Sequence, residues 1–247
     1  MDYTIGESYT LPSKGQVYSE TVNPQIKIRS MTTQEEMKRL GHSDAPYKLL
    51  SEIIDDCLVE NPGISAYDLC IGDYQYLLHR LRAVTYGADY NIQLICPICG
   101  AIHKEVLNLD ELEVIEYSDD MRKYLDITLP KSKKRVELKL QTPRMLDEIT
   151  QKSDKIKKQS PDMEGEPAFL FTLESLIYKV DGQVLNPIKL TQFVRSLEMA
   201  DANYILRSVE KVNIGVKQNL THKCKDCKTE FKYTFPITGE FFGPSID

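Results

Sequence analysis

Apolar residues recur at intervals of three and four early in the chain, which is the spacing of one face of an α-helix. Residues 65–85 give the clearest pattern, with apolar positions at Tyr67, Cys70, Tyr74, Leu77, Leu78, Leu81 and Val84. Residues 46–60 carry a second stripe, which Asn61-Pro62-Gly63 ends. A short helix is expected over residues 33–40, because a threonine cap and acidic residues mark its start. These patterns predict a helical subdomain at 32–89.

Similar stripes predict three helices later in the chain. One begins at Pro143 and fades into the polar stretch 155–161, which is expected to be a loop. Residues 168–180 and 190–212 form the other two, with apolar positions at Phe169, Leu170, Leu173, Leu176, Ile177, Phe193, Leu197, Ala200, Tyr204, Ile205 and Val209. Together the three helices form a helical insertion at 143–212.

Alternation of apolar and polar residues predicts strands on both sides of two Cys-x-x-Cys motifs. The four strands are expected at 90–94, 101–109, 214–220 and 231–235. Each motif therefore lies at the tip of a β-hairpin. Gly100 suits the positive φ that such a tip often needs, because it has no Cβ, whereas Lys228 holds the matching position in the second motif.

Cys96 and Cys99 form the first motif, and Cys224 and Cys227 form the second. Four thiolate ligands with no vacant position are typical of a structural zinc site, whereas a catalytic site keeps one position open. We therefore expect these four residues to bind one structural Zn2+ in a zinc ribbon. Two disulfides or a redox-active pair are the alternatives. The start of the chain lacks the features of a signal peptide, so a reducing compartment is expected, and there this spacing favours a metal.

Composition and the remaining motifs narrow the function classes. The chain has 247 residues, of which 41% are hydrophobic, so a substantial core is available. The net charge of -6 disfavours a nucleic-acid binder, because phosphate contacts need a basic face. No apolar run is long enough to span a membrane, so membrane insertion is not expected. No metalloprotease, nucleophile-elbow, phosphate-loop or dinucleotide motif is present, and we do not expect an enzyme. His103 and His222 flank the cysteine motifs and are expected beside the metal site or on the surface.

The predicted fold class is α+β: a split four-cysteine zinc ribbon, built from two β-hairpin knuckles, with helical subdomains and a small β-hairpin inserted between them. That hairpin is expected where residues 127–129 and 136–140 flank a turn. The expected divisions are an extended N-terminal arm at 1–31, a helical subdomain at 32–89, the zinc ribbon at 90–109 plus 213–236, a β-hairpin region at 110–142, a helical insertion at 143–212 and a C-terminal tail at 237–247.

The two chain ends are the candidate partner-binding segments. The arm either forms a sheet edge of its own domain or becomes ordered on a partner, and its candidate contacts are Leu11, Tyr18 and Ile28. In the tail, Phe241 and Phe242 either pack on the domain or contact another protein.

Three groups of motifs occur in a particular order along the chain. Leu11-Pro12-Ser13-Lys14-Gly15 is followed by Ile28-Arg29-Ser30-Met31-Thr32-Thr33. A helix with Gly72-Asp73 and Leu81-Arg82 then leads to Tyr86-Gly87-Ala88-Asp89-Tyr90, and Cys96-Pro97-Ile98-Cys99-Gly100 follows. In order and spacing these motifs resemble the baseplate hub assembly proteins of T4-like bacteriophages, over most of the first half of the chain and more loosely over the rest.

The resemblance implies a non-catalytic protein of the contractile-tail baseplate that binds other hub or tail proteins. Members of the group either remain in the finished hub or act only during its assembly. The expected location is accordingly the host cytoplasm during assembly, with the tail baseplate of the virion as a further location, and a homo-oligomer is left open. The alternative function is a zinc ribbon that binds nucleic acid, supported by lysines at Lys223, Lys225, Lys228 and Lys232.

Overall fold

The computed structural model describes residues 6–160, 165–234 and 239–242. In this part of the chain the fold is α+β, with seven α-helices and twelve strands in small antiparallel sheets. The helices are α1 (Thr33–Arg39), α2 (Pro46–Cys57), α3 (Ile71–Tyr86), α4 (Pro143–Gln159), α5 (Pro167–Leu176), α6 (Pro187–Ser196) and α7 (Met199–Glu210). The strands are β1 (Gly6–Thr10), β2 (Gln25–Arg29), β3 (Leu58–Glu60), β4 (Asp89–Ile95), β5 (Ile102–Asn108), β6 (Val114–Ile115), β7 (Asp126–Thr128), β8 (Arg135–Leu138), β9 (Ile177–Val180), β10 (Gly215–Val216), β11 (Asn219–Lys223) and β12 (Glu230–Thr234).

The strands form five sheets. Two have three strands, in the orders β1-β2-β3 and β7-β8-β9, and three are the pairs β4-β5, β11-β12 and β6-β10. The last pair joins segments that are far apart in sequence, with Gly215 opposite Ile115 and Val216 opposite Val114. This pairing anchors the chain just before β11, so the second cysteine hairpin returns to the side of the molecule that holds the first.

The first hydrophobic core lies between the β1-β2-β3 sheet and helices α2 and α3. Its most deeply buried side chains include Leu11, Ile26, Ile28, Ile53, Ile54, Leu77 and Leu81. Strands β1 and β2 therefore form part of the sheet that covers this core, which is the first of the two arrangements expected for the arm at 1–31; residues 1–5 lie outside the described residues. The physical reason is that Ile26 and Ile28 lie on one face of β2, and this face packs on α3.

The second core lies between the β7-β8-β9 sheet and helices α5, α6 and α7, and Leu129, Val136 and Ile205 are completely buried in it. The helix predicted over 168–180 ends at Leu176, because the next four residues form strand β9 and pair with β8. Likewise the helix predicted over 46–60 ends at Cys57, and strand β3 pairs with β2. The predicted hairpin of 127–129 and 136–140 forms as β7 and β8.

The single helix predicted over 190–212 is two helices, α6 and α7. The backbone is extended at Leu197 (φ -67, ψ 133) and at Glu198 (φ -66, ψ 148), so α6 ends before these residues and α7 begins after them. Both helices contact α5, so the break lets two apolar stripes cover the same core. Among the described helices, none combines the length and the apolar character that crossing a membrane needs.

Candidate metal centre

The first cysteine motif lies at the tip of the β4-β5 hairpin. The two strands pair in register over seven residues, from Asp89 opposite Asn108 to Ile95 opposite Ile102. At the tip, the Cys96 N–H donates to the Ala101 carbonyl at 2.9 Å, and the Gly100 N–H donates to the Cys96 carbonyl at 2.9 Å. Gly100 has a φ of 71°, as its lack of a Cβ allows.

The second motif repeats this backbone at the tip of the β11-β12 hairpin. The Cys224 N–H donates to the Thr229 carbonyl at 3.0 Å, and the Lys228 N–H donates to the Cys224 carbonyl at 3.1 Å. Lys228 stands where Gly100 stands in the first tip and has a φ of 62°. A left-handed conformation costs a residue with a Cβ about 1–2 kcal/mol. The second tip therefore adopts the knuckle geometry despite its sequence.

The two tips face each other and bring the four sulfur atoms together. Cys96 Sγ lies 3.7 Å from Cys227 Sγ, and Cys99 Sγ lies 3.6 Å from Cys224 Sγ. All four sulfurs lie within 4.8 Å of one another. A tetrahedral zinc ion with Zn–S bonds of about 2.3 Å separates its sulfurs by about 3.8 Å, whereas a disulfide needs about 2.05 Å. The geometry fits a four-thiolate metal ion and does not fit a disulfide.

The thiols influence one another because they are crowded. The Thr229 hydroxyl and backbone N–H, which hydrogen-bond the sulfur, lower the pKa of Cys227 to about 6. At Cys99 the Ala101 N–H lowers the pKa, but desolvation and the other three sulfurs raise it, to about 12 overall. The cluster thus gives up a first proton readily and holds a last one. A divalent cation bound by all four cysteines would displace the remaining protons, since a metal binds thiolates.

Side chains on the inner faces of the hairpins surround the sulfurs. His103 is 5% exposed, and its Nε2 lies 3.3 Å from Cys224 Sγ and 3.7 Å from a carboxylate oxygen of Asp226. The ring of His222 packs between the His103 ring at 5.2 Å and the Phe231 ring at 5.5 Å. Lys225 Nζ lies 2.6 Å from Glu105 Oε1, which joins the two hairpins and lowers the pKa of Glu105.

The comparison with known protein families decides the kind of protein. Residues 4–243 match the family described as T4 bacteriophage base plate protein. The chain belongs to this family. A baseplate protein of this family has a structural role in the phage baseplate, with other phage proteins as its partners. No curated protein and no solved structure matches the chain.

The predicted partner contacts of this baseplate protein lie mostly inside its own core. Leu11, Ile28 and Phe241 are 0% exposed and Phe242 is 2% exposed. The Phe241 ring packs on Tyr90 at 5.5 Å and on Phe242 at 5.2 Å, so the tail docks on the first core. Of the two alternatives expected for the arm and the tail, these four side chains follow packing on the protein's own domain, so as buried residues they are not available as partner contacts in this structure. Of the expected C-terminal tail at 237–247, only residues 239–242 are described.

Tyr18, the fifth predicted contact, is half-buried. Its hydroxyl donates to Asp73 Oδ2 at 2.6 Å and accepts from the Cys70 N–H at 3.1 Å. Burial and the neighbouring Cys70 and Asp73 raise the pKa of Tyr18 far above its usual range. In this structure Tyr18 therefore holds the N-terminal loop against the first turn of α3.

The sequence pattern missed the group formed by His103, Glu105 and His222, whose ligand atoms lie within 4.8 Å of one another. The period-two alternation of a strand could have indicated this group. His103 and Glu105 occupy successive inward positions of β5, and His222 lies two residues before Cys224 and therefore on the same face. Which residues meet across the two hairpins depends on tertiary packing and could not be obtained from either strand alone.

Proposed function

We propose that this baseplate protein is a non-catalytic component of the central baseplate hub, or a factor that assembles it, and that it acts through protein–protein contacts. The observation that carries the proposal is the family match over residues 4–243, which covers both cores and both cysteine hairpins. The finer assignment to the hub rests on the order of the sequence motifs around Ser13, Asp73 and Cys96. Other hub or tail proteins are the expected partners.

A structural zinc ion bound by Cys96, Cys99, Cys224 and Cys227 is the second part of the proposal. The S···S distances of 3.6 and 3.7 Å support it, since they match the edge of a zinc–thiolate tetrahedron. Cys99 and Cys224 are 125 residues apart in sequence. By the loop-closure relation, a link of this length removes roughly 4–5 kcal/mol of conformational entropy from the unfolded chain. The ion would thus fix the second hairpin against the first and give partners a rigid surface.

Quantitative mass spectrometry of this chain tests the hub assignment. The chain is measured in purified phage particles and in the lysate of infected cells, relative to known hub proteins in both samples. A fixed ratio to the hub proteins in particles is expected for a hub component. Abundance in the lysate together with loss from particles is expected for an assembly factor. Association with neither hub proteins nor their assembly intermediates would overturn the proposal.

Nucleic-acid binding is a second candidate function, because one set of exposed side chains favours it. The four lysines of the second hairpin that suggested it, Lys223, Lys225, Lys228 and Lys232, are all exposed. Counterion release makes phosphate binding strongly salt-dependent. An electrophoretic mobility shift that weakens steeply with salt, and that is lost when these lysines are replaced by glutamine, would support this function over the hub proposal.

A further inference from the structure

Next to the four cysteines, the inner faces of the two hairpins bring two imidazoles and a carboxylate together. The group consists of His103 and Glu105 on β5 and of His222 on β11. Each residue offers one ligand atom, and the three atoms lie within 4.8 Å of one another. His222 Nε2 and Glu105 Oε1 are 3.9 Å apart. A small inward movement would bring this pair to the spacing of two ligands on one metal ion.

These side chains are largely buried, so a bound cation could satisfy polar atoms that water does not reach. His103 is 5% exposed, and the side chains of His222 and Glu105 are 15% and 27% exposed. His222 Nε2 is shielded from water and has no hydrogen-bond partner among the residues that the structure describes. A buried polar atom without a partner costs about 1–3 kcal/mol. A metal–nitrogen bond would satisfy the imidazole and recover that cost.

We propose that His103, Glu105 and His222 bind a second divalent transition-metal ion, of which zinc is the natural candidate, beside the four-cysteine centre. Two histidines and one glutamate form a ligand set that zinc accepts, with water completing the tetrahedron. The proposal goes beyond the structural zinc ion, since it uses none of the four cysteines as ligands. With this second site, two metal ions would lie between the two hairpins.

The ammonium group of Lys225 neutralises the Glu105 carboxylate when no metal ion is bound. Its Nζ lies 2.6 Å from Glu105 Oε1, while its side chain is 66% exposed. The ammonium group can therefore leave for solvent when a dication takes its place at the carboxylate. Lys225 and the metal ion compete for Glu105, and removal of the lysine should tighten metal binding.

Metal content of the purified full-length chain tests the proposal. After saturation with zinc and removal of the free ion, mass spectrometry of the metal should find two zinc ions per chain. Glu105→Gln and His222→Ala should each bind one, whereas His42→Ala should bind two, because the His42 side chain is 94% exposed and is not part of the proposed ligand group. A wild-type chain that binds a single zinc, or variants that keep two, would overturn the proposal.

Cobalt titration separates this proposal from the four-cysteine one. The first equivalent of Co2+ should give the intense near-ultraviolet band of sulfur-to-cobalt charge transfer, and the second should give visible bands alone. One equivalent with the sulfur band and nothing further overturns the second site and leaves the first intact. No binding at all overturns both.

The Lys225→Met variant keeps the test decisive if a ligand variant fails to fold. It leaves every proposed ligand in place and removes only the competing ammonium group. The dissociation constant for the second ion should fall several-fold, while that for the first ion stays unchanged. An unchanged dissociation constant for the second ion contradicts the assignment of Glu105 as a ligand.

Discussion

The carboxylate of Asp73 accepts two hydrogen bonds from Ser13, one from its backbone N–H at 2.9 Å and one from its hydroxyl. Both residues are completely buried, and 60 positions separate them in sequence. Ser13 belongs to the N-terminal Leu-Pro-Ser-Lys-Gly motif, and Asp73 lies in the first turn of α3. The motifs that resemble the baseplate hub assembly proteins are thus in direct contact, and this contact fixes the N-terminal loop to the first core.

Asp73→Ala should destabilise the protein by about 3 kcal/mol, because it leaves two buried donors of Ser13 and the hydroxyl of half-buried Tyr18 without an acceptor. Burial raises the pKa of Asp73, so Asp73→Asn, which is neutral and similar in shape, should cost less. Urea denaturation at pH 7 measures both free energies of unfolding. Asp154→Ala is the matched control, since Asp154 is exposed, and equal losses for Asp73→Ala and Asp154→Ala would refute the role of this carboxylate.

A second close contact lies one residue earlier, between Gly72 at the start of α3 and the segment that leads into the second cysteine hairpin. A Cβ on Gly72 would lie 2.3 Å from the Ile214 carbonyl oxygen, and one on Gly215 would lie 2.7 Å from the Gly72 carbonyl oxygen. Only glycine allows the two backbones to approach so closely. The helix that carries Asp73 is therefore also the element against which β10 is fixed.

Gly72→Ala should cost about 2–3 kcal/mol, because backbone atoms on both sides must move to admit the methyl group. Gly41→Ala is the control, since Gly41 is exposed two residues beyond α1 and its Cβ would lie 3.1 Å from the nearest atom, the Lys38 carbonyl oxygen. Its effect should stay within about 0.5 kcal/mol. Thermal unfolding followed by circular dichroism compares the two variants. Similar melting temperatures for both would show that the Gly72 contact is loose.

Local sequence patterns predicted those helices and turns whose structure does not depend on a partner distant in sequence. The apolar stripes located α2 and α3, Pro143 marked the start of α4, and the spacing of Cys96 to Cys99 and of Cys224 to Cys227 located both knuckles. The loop expected from residue 155 is wrong as far as residue 159, because α4 continues to Gln159. Prediction failed where pairing with a strand distant in sequence determines the secondary structure. Residues 58–60 and 177–180 continue a helical stripe, but each becomes a strand because β2 and β8 offer free edges.

The same limit explains the chain ends. No neighbouring sequence reveals what covers Leu11, Ile28, Phe241 and Phe242. The sequence alone therefore leaves open whether the arm and the tail pack on the domain or contact a partner. In the structure Phe241 packs on Tyr90 and Phe242, and Leu11 donates its N–H to the Pro24 carbonyl at 2.8 Å. Such contacts arise only when the first core forms. The four candidate cysteine ligands could be predicted from their spacing, and His103 and His222 from their positions beside the motifs, whereas the approach of Glu105 to both histidines could not.

Lys228→Gly should stabilise the protein by about 1 kcal/mol, because the left-handed backbone at φ 62° strains any residue with a Cβ. Gly100→Ala, the same position in the other knuckle, should destabilise it by about 1 kcal/mol for the converse reason. Chemical denaturation in zinc-buffered solution measures both changes. Each variant serves as the control for the other, since their changes in the free energy of unfolding should have opposite signs. A loss of stability in Lys228→Gly would contradict the argument.

Glu35 provides a pH-dependent contribution to stability. The hydrogen bond from Arg29, at 2.8 Å, and further bonds from Thr32 lower the pKa of Glu35 to about 2. Since the folded pKa lies below the unfolded value of about 4.3, the stabilisation is complete above that value and is lost as the pH falls towards 2. Glu35→Gln should therefore be less stable than wild type by on the order of 2 kcal/mol at pH 7.

The difference between wild type and Glu35→Gln should shrink below pH 4 and vanish near pH 2, as measured by urea denaturation across this range. Comparing the two proteins at each pH cancels the acid sensitivity that any metal site adds. The exposed Glu148→Gln variant should show no comparable pH-dependent difference. A Glu35→Gln difference that does not change with pH would mean that the carboxylate charge is not its source.

Zinc removal should separate the two cysteine hairpins. Cys224 is completely buried and its Sγ lies 3.3 Å from His103 Nε2, so Cys224→Ser removes one ligand from the centre of the cluster. If the ion links the hairpins, the variant should lose most of the roughly 4–5 kcal/mol that loop closure provides, with a large fall in melting temperature. A chelator should lower the melting temperature of the wild-type chain and leave that of Cys224→Ser nearly unchanged, because the same link is already broken. If instead the chelator and the substitution lower the melting temperature additively, the two act on different features, and a zinc link through Cys224 is ruled out.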